Sequence, residues 1–467
     1  MPLTGRGLTS AGGVFWDCGT RAAIAVSHCC GTEEGRGPRG VTSSRRWAPL
    51  SYGGEFNGAR VLSGGPPVGN HCPVQHIPDA ERRTRLARRH GIHPGHRYPD
   101  AVSATRAMTV LHATEPPTVH LSLQARVDGL SVSDIDAVLY DSRLLVKQLA
   151  MRRTLFAFPR DLLPAAWGSA SARVATAEFR RLAQDVTKAG VAADGAAWVK
   201  TAAQAVLDHL EDGVALDAAT LRQEVPLLEE RIVFGTGKWS QESPVAPRIL
   251  TLLGARGQLV RGNNVHHWRI SRPRWTSMST WLHGDVPEHL PEADGYAELV
   301  RRWLWTFGPG TEADIVWWLG ATKAAVRRAL AEVDAVHVSL DSGDTGWVLP
   351  GDDEPEEPVD DWAALLPALD PTTMGWKQRA FYLDPEDVPY LFDYAGNGGT
   401  TAWWNGRIVG CWVQADDGTV RVVYRGEPGQ EAREALEWEA TRLTRWFGGE
   451  VVSSIYASPQ MRGEKLQ

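Results

Sequence analysis

The chain has 467 residues, a formal charge of −7, 43% hydrophobic residues and 22% charged ones, the balance of an ordinary globular protein of about three domains at roughly 100–200 residues each. No apolar run approaches the ~20 residues of a membrane helix, and the Ala22–Val26 stretch is too short and wrongly flanked for a secretory signal, so a cytoplasmic location is expected. A net negative charge argues against whole-surface attraction to nucleic acid but leaves room for a local basic face.

Residues 1–73 scatter glycine throughout, contain no lysine and little leucine, and hold no sustained period of 3.6 or 2. They are expected to be disordered, or to be upstream sequence read from a misplaced start, with the natural beginning near Val74. Four of the five cysteines, Cys18, Cys29, Cys30 and Cys72, lie here. Neither His28-Cys29-Cys30 nor His71-Cys72 has the spacing of a zinc site, so free thiols and no metal are expected.

From Asp79 to His90 the pattern predicts an Asp-capped basic helix, in which Arg82 and Arg85 are candidates to meet phosphates. A solvated surface face explains a lone charge run equally well. Between Val102 and Pro159, apolar residues recur at helical spacing in Met108-Leu111, Val119-Leu123-Val127 and Ile135-Val138-Leu139. Two β-prone runs follow, Leu144–Leu149 and Thr154–Pro159. Three helices and a hairpin are the plan of a winged-helix module, assigned to residues 74–160. Pro116 and Pro117 are expected to end a helix, leaving His112, Thr114 and Glu115 on its last turn, facing a cleft.

A second such module is expected over 161–285, with helices across Ser171–Lys188 and Ala196–Leu210, an Asp217 cap, an apolar helix at Val245–Leu253, and a hairpin from Gln258–Arg261 and His267–Ile270. Gly235-Thr236-Gly237-Lys238 lacks the gap and the hydroxyl residue of a phosphate loop. The third module, 286–351, has a helix at Tyr296–Trp305, a Thr311 cap with Asp314 at its third position, a helix at Lys323–Val333, and a wing from Val336–Leu340 and Gly346–Leu349. Residues 352–361 form an acidic linker. A small β-barrel-like domain then occupies 362–467, with strands at Ala364–Ala368, Arg379–Leu383, Thr401–Trp404, Arg407–Gln414, Thr419–Tyr424 and Val451–Tyr456, and a helix at Glu431–Trp446. Asn405-Gly406 marks a tight hairpin turn. The fold class is α+β: three tandem winged-helix modules and a β domain. Trp317-Trp318 and Trp403-Trp404 are read as packing residues.

The tandem modules resemble a known family, as do Leu111-His112-Ala113-Thr114-Glu115-Pro116-Pro117 ahead of Leu121-Ser122-Leu123-Gln124-Ala125-Arg126-Val127, the Met151-Arg152-Arg153-Thr154-Leu155 hairpin, Phe307-Gly308-Pro309-x-Thr311 and Leu366-Pro367-Ala368-Leu369-Asp370-Pro371. The family is the bacterial winged-helix DNA glycosylases of the AlkZ and YcaQ group. The resemblance covers about Ile77 to Arg462. It implies a C-shaped stack around double-stranded DNA, removal of alkylated bases or interstrand crosslinks, and no cofactor. A monomer that meets the nucleoid only when bound to DNA is expected. Where the characterised enzymes carry Gln-x-Gln or Gln-x-Asp, this chain has His112 and Thr114.

An N-alkylated purine already leaves readily, so the protein has to position water and stabilise oxocarbenium-like charge. Neutral His112 can accept the water's proton, Thr114 can orient the water through its hydroxyl, and Glu115 can supply negative charge. Arg152 and Arg153 at the hairpin tip are expected to contact DNA, with Thr154 supporting the site and Lys377 and Arg379 adding backbone contacts. Asp370 is expected to fix its Pro371 turn. The rival expectation is a non-catalytic regulatory winged-helix protein in which His-x-Thr marks lost catalysis.

Overall fold

The computed structural model describes residues 74–234 and 241–464; the expectations for residues 1–73 and for Gly235–Lys238 fall outside them. The described residues open with β1 (His76–Ile77), α1 (Asp79–Arg89), α2 (Ala101–Ala107), β2 (Leu111–His112), α3 (Pro116–Gln124), α4 (Val132–Asp136), β3 (Leu145–Leu149) and β4 (Leu155–Pro159). Next come α5 (Leu163–Gly168), α6 (Ala170–Lys188), α7 (Gly195–His209), α8 (Ala218–Glu224), β5 (Arg231–Phe234), β6 (Gln241–Pro244), α9 (Ala246–Ala255), β7 (Leu259–Asn264), β8 (Pro273–Ser277) and α10 (Met278–Trp281). Then follow α11 (Glu292–Phe307), β9 (Gly310–Thr311), α12 (Glu312–Leu319), α13 (Lys323–Glu332), β10 (Val336–Leu340) and β11 (Thr345–Val348). The last part holds β12 (Ala363–Leu366), α14 (Pro371–Met374), α15 (Val388–Leu391), β13 (Thr401–Trp404), β14 (Arg407–Gln414), β15 (Val420–Tyr424) and α16 (Gln430–Phe447).

The architecture is mixed α+β, with helices gathered ahead of short antiparallel sheets. β2-β4-β3 form one sheet, β1-β10-β11-β9 a second, and β12-β13-β14-β15 a third, with β5-β6 and β7-β8 as two-stranded hairpins. β1 joins the second sheet in parallel, His76 opposite Ser339, so the start of the described chain is built into a sheet whose other strands lie more than 200 residues on. The C-terminal sheet is an open order of four strands covered by α16 and does not close, which corrects the barrel-like expectation.

Caps written in the sequence form as expected. Thr311 and Asp314 make a reciprocal capping box on α12, and Asp217 accepts from two backbone N–H groups of α8. Asn405 and Gly406 both take positive φ, 48° and 77°, the geometry that matches strand twist in a two-residue hairpin.

Several expectations are corrected. Asp79 is the first helical residue of α1 rather than its cap, a position taken by Pro78. Pro116 and Pro117 open α3 instead of ending a helix, because the first turn has no intrahelical use for their missing N–H groups. His267–Ile270 is a turn, closed by Ile270 N donating to the His267 carbonyl at 3.0 Å, and Pro273–Ser277 supplies the partner strand. Arg379–Leu383 also turns back on itself. Its alternating pattern is a knot of buried aromatics, with Trp376, Phe381 and Tyr382 all inside. Val451–Tyr456 makes no ladder because side chains take its N–H groups: Val452 N donates to Gln414 Oε1 and Ile455 N to Glu115 Oε1.

One continuous apolar core runs through α2–α5, α11–α13 and the aromatic knot around Trp376 and Trp403. The helices α6, α7 and α9 hold a second core of their own. The first core is crossed by an ion pair with no exposure on either side: Arg126 reaches Asp370 at 2.7 and 2.9 Å. Ser122 Oγ donates to the same carboxylate, and Asp370 caps α14 through Thr372 N. Asp370 thus fixes its turn as expected and also ties α3 to the C-terminal part.

Candidate active site

The short strand β2 places His112 opposite Phe156 on β4, and the rings pack 4.7 Å apart. The imidazole is 6% exposed, and neither ring nitrogen has a hydrogen-bond partner among the described protein atoms. Burial, with the nearby Arg152 guanidinium, pulls its pKa down to about 3, so it stays neutral across the physiological range. Expected at a cleft, His112 lies instead beneath the surface, because strand pairing turns it toward Phe156.

Thr114 is exposed, and Glu115 beside it is buried. The proline that follows holds Glu115 in extended backbone, φ −96° and ψ 122°, and this turns its carboxylate toward the C-terminal segment. Oε1 accepts from Ile455 N at 2.8 Å and Oε2 from Ser454 Oγ at 3.0 Å. Burial raises its pKa to about 7 against the pull of those donors. Tyr456 faces both Glu115 and Asp393, and burial pushes its phenol up to about 12.

The hairpin between β3 and β4 carries Arg152 and Arg153 with φ of 52° and 60°. Two consecutive non-glycine residues in the left-handed region cost on the order of 1–3 kcal/mol each. Thr154 closes the turn: its N–H donates to the Met151 carbonyl, and its own carbonyl accepts from Ala150 N. Arg152 lies 4.1 Å over the ring of Trp317. Arg379 approaches the same ring at 5.3 Å and sits 4.5 Å from Phe392. Arg153 pairs with Glu178 at 2.8 Å. Lys377 is exposed, and its backbone N–H, with that of Gln378, donates to Asp314 Oδ1 at 2.9 Å. Chain segments some 220 residues apart in sequence therefore set cationic side chains around one indole.

The sequence model of the AlkZ-like DNA glycosylases matches residues 105–446, which takes in His112, Glu115, the arginine hairpin and the aromatic knot. The chain belongs to the AlkZ-like DNA glycosylase family. Its family is one of DNA-binding hydrolases of DNA repair. The structure of Streptomyces sahachiroi DNA glycosylase AlkZ superposes with a TM-score of 0.62 at 19% identity, over 80% of this chain and 97% of that one; the two share a fold. No curated protein sequence matches the chain.

Within this AlkZ-like chain two expected DNA contacts are corrected. Arg82 is buried over the Phe381 ring, 3.6 Å from its centroid. Arg85, 2% exposed, pairs with Glu81 and Asp352 and donates to the Asp352 and Glu354 carbonyls. Both are consumed by packing. Sequence reading missed Trp317 as the centre of the basic cluster and missed Tyr456 and Asp393 beside Glu115. The doubled tryptophan was a usable signal: Trp318 is buried while its neighbour Trp317 stays partly open. No local signal marks Tyr456, since only the tertiary turn of the last segment brings it there.

Proposed function

We propose that this AlkZ-like chain is a monofunctional N-glycosylase that hydrolyses the glycosidic bond of alkylated bases or interstrand crosslinks in duplex DNA. In this reading its helix-and-hairpin units are three winged helices, it acts as a monomer, and Glu115 is the group that activates water. The observation that carries the reading is a buried carboxyl whose pKa lies at about 7, next to an exposed threonine hydroxyl, in the segment that matches the family's catalytic motif. A general base works best when its pKa sits near the operating pH, and Glu115 meets that condition better than an imidazole held near 3.

In the mechanism this supports, Thr114 orients the water, ionised Glu115 accepts its proton, and the same negative charge stabilises the oxocarbenium-like sugar as the cationic base departs. His112, neutral and packed on Phe156 beneath the surface, supports the backbone that carries Thr114 and Glu115 and does not touch the substrate. Arg152, Arg379 and Lys377 neutralise phosphates on the same side.

The test is single-turnover release of alkylated purine from duplex DNA. Glu115→Gln is expected to slow release by roughly 10²–10⁴-fold, the usual worth of general base catalysis, with DNA affinity kept within a few-fold. Undiminished release would remove Glu115 from the chemistry. Tight, sequence-selective binding by wild type with no release would instead favour a regulatory DNA-binding protein.

A further inference from the structure

Two large apolar side chains stand almost wholly in solvent, Tyr394 at 95% and Ile455 at 81% exposure; the next among the described residues is Trp438 at 60%. Single exposed apolar residues are ordinary on protein surfaces. What is not ordinary is that these two stand on loops that meet beside Glu115.

Tyr394 tops a turn braced by the residue before it. Asp393 Oδ1 accepts from the N–H groups of Ala395 and Asn397, Oδ2 accepts from Asn397 Nδ2, and Asp393 N donates to the Asn397 carbonyl, all at 2.9 Å. Gly396, at φ +83°, turns the corner. Ile455 is bolted directly to Glu115 through its own N–H, with Ser454 holding the other carboxylate oxygen. The loops are tied together: Tyr456 faces both Glu115 and Asp393, and Gln460 N donates to the Tyr390 carbonyl at 3.0 Å. Arg379 sits over Phe392 at the base of the Tyr394 turn, so a cation that can hold a phosphate adjoins it.

An enzyme that works on a base inside a duplex must first take the nucleotide out of the stack, at a cost of a few kcal/mol. An apolar side chain that enters the stack recovers part of that cost, and an aromatic ring stacked on a base contributes on the order of 1–3 kcal/mol. Side chains carried on pre-braced backbone lose little conformational freedom in doing so. Resting on the glycosylase reading above, we propose that Tyr394 and Ile455 are wedges that enter the duplex and fill the gap left by the nucleotide delivered to Glu115. They are positioning residues and touch no reacting atom.

The experiment uses the full chain and a duplex with 2-aminopurine beside one alkylated purine on a hydrolysis-resistant 2′-fluoro sugar. Binding of wild type is expected to raise the fluorescence severalfold as the neighbour unstacks. Tyr394→Ser with Ile455→Ser is expected to lose most of that rise while melting at the wild-type temperature. On the ordinary sugar the double variant is expected to release base about 10–100-fold more slowly, as loss of a few kcal/mol of unstacking help requires, with the rate recovered when the lesion faces an abasic gap. An equal rise with the double variant, or no rise with wild type, overturns the wedge. Wild-type release from the ordinary sugar decides the glycosylase reading separately.

Discussion

Two sets of arginines, both legible in the sequence as phosphate contacts, meet different neighbours. On α1, Arg85 and Arg89 are clamped by the acidic linker, with Arg89 gripping Asp352 at 2.6 Å and Glu356 at 2.8 Å, so the positive run serves as a dock for the negative one. On the β3–β4 hairpin and after Trp376, Arg152 and Arg379 lie against aromatic faces, which hold a guanidinium by cation–π attraction, and Arg153 pairs with Glu178. A charge run in sequence thus says little about its partner until the opposing run is found, and here that run was the linker.

The sharpest way to break this contrast is Arg85→Ala. It takes the cation from Glu81 and the donor from the Asp352 and Glu354 carbonyls, and is expected to destabilise the fold by about 3–5 kcal/mol, as loss of one partner of a buried pair does. The salt slope of DNA binding should be unchanged; a shallower slope would return α1 to the DNA interface. Arg152→Ala with Arg379→Ala should do the reverse. The log–log salt slope should fall by about one per lost phosphate contact.

The pH dependence of stability sharpens the comparison from another side, because Glu115, unlike the carboxylates of the linker, is held by neutral donors. Its pKa is raised from 4.5 to about 7 in the fold. The folded state therefore binds its proton more readily than the unfolded chain, and the associated stability is fully present below about pH 4.5 and lost as pH rises through about 7. Melting curves of wild type minus Glu115→Gln should show that step, and a flat difference would place the carboxyl in water. The smallest effect belongs to Arg88→Ala, whose partner Glu357 is 90% exposed; the change in stability should stay within about 0.5 kcal/mol.

Much of the fold was legible because its helices carry their own punctuation. Asp217, Thr311 with Asp314, and Asn405-Gly406 each sit where a cap or turn needs that chemistry, and each forms. The family motifs were legible too, yet their physical reason was not: Arg126 and Asp370 lie in separate motifs and meet only in the core. The site was half visible. Glu115 and the hairpin arginines could be named from sequence, but the pair of prolines was read as a stop when it is a start, and this displaced His112 from strand to helix. Alternation misled at Arg379–Leu383 and Val451–Tyr456, where tertiary partners took the backbone groups a ladder would have used.

The clamp of α1 on the linker has a consequence for how the polypeptide can be divided. Cutting the chain just after Leu349 would leave two fragments still joined by the Arg89 grip on Asp352 and by Arg126 on Asp370. Such halves, produced separately, should find each other, and each alone would expose an interior that only its counterpart can cover.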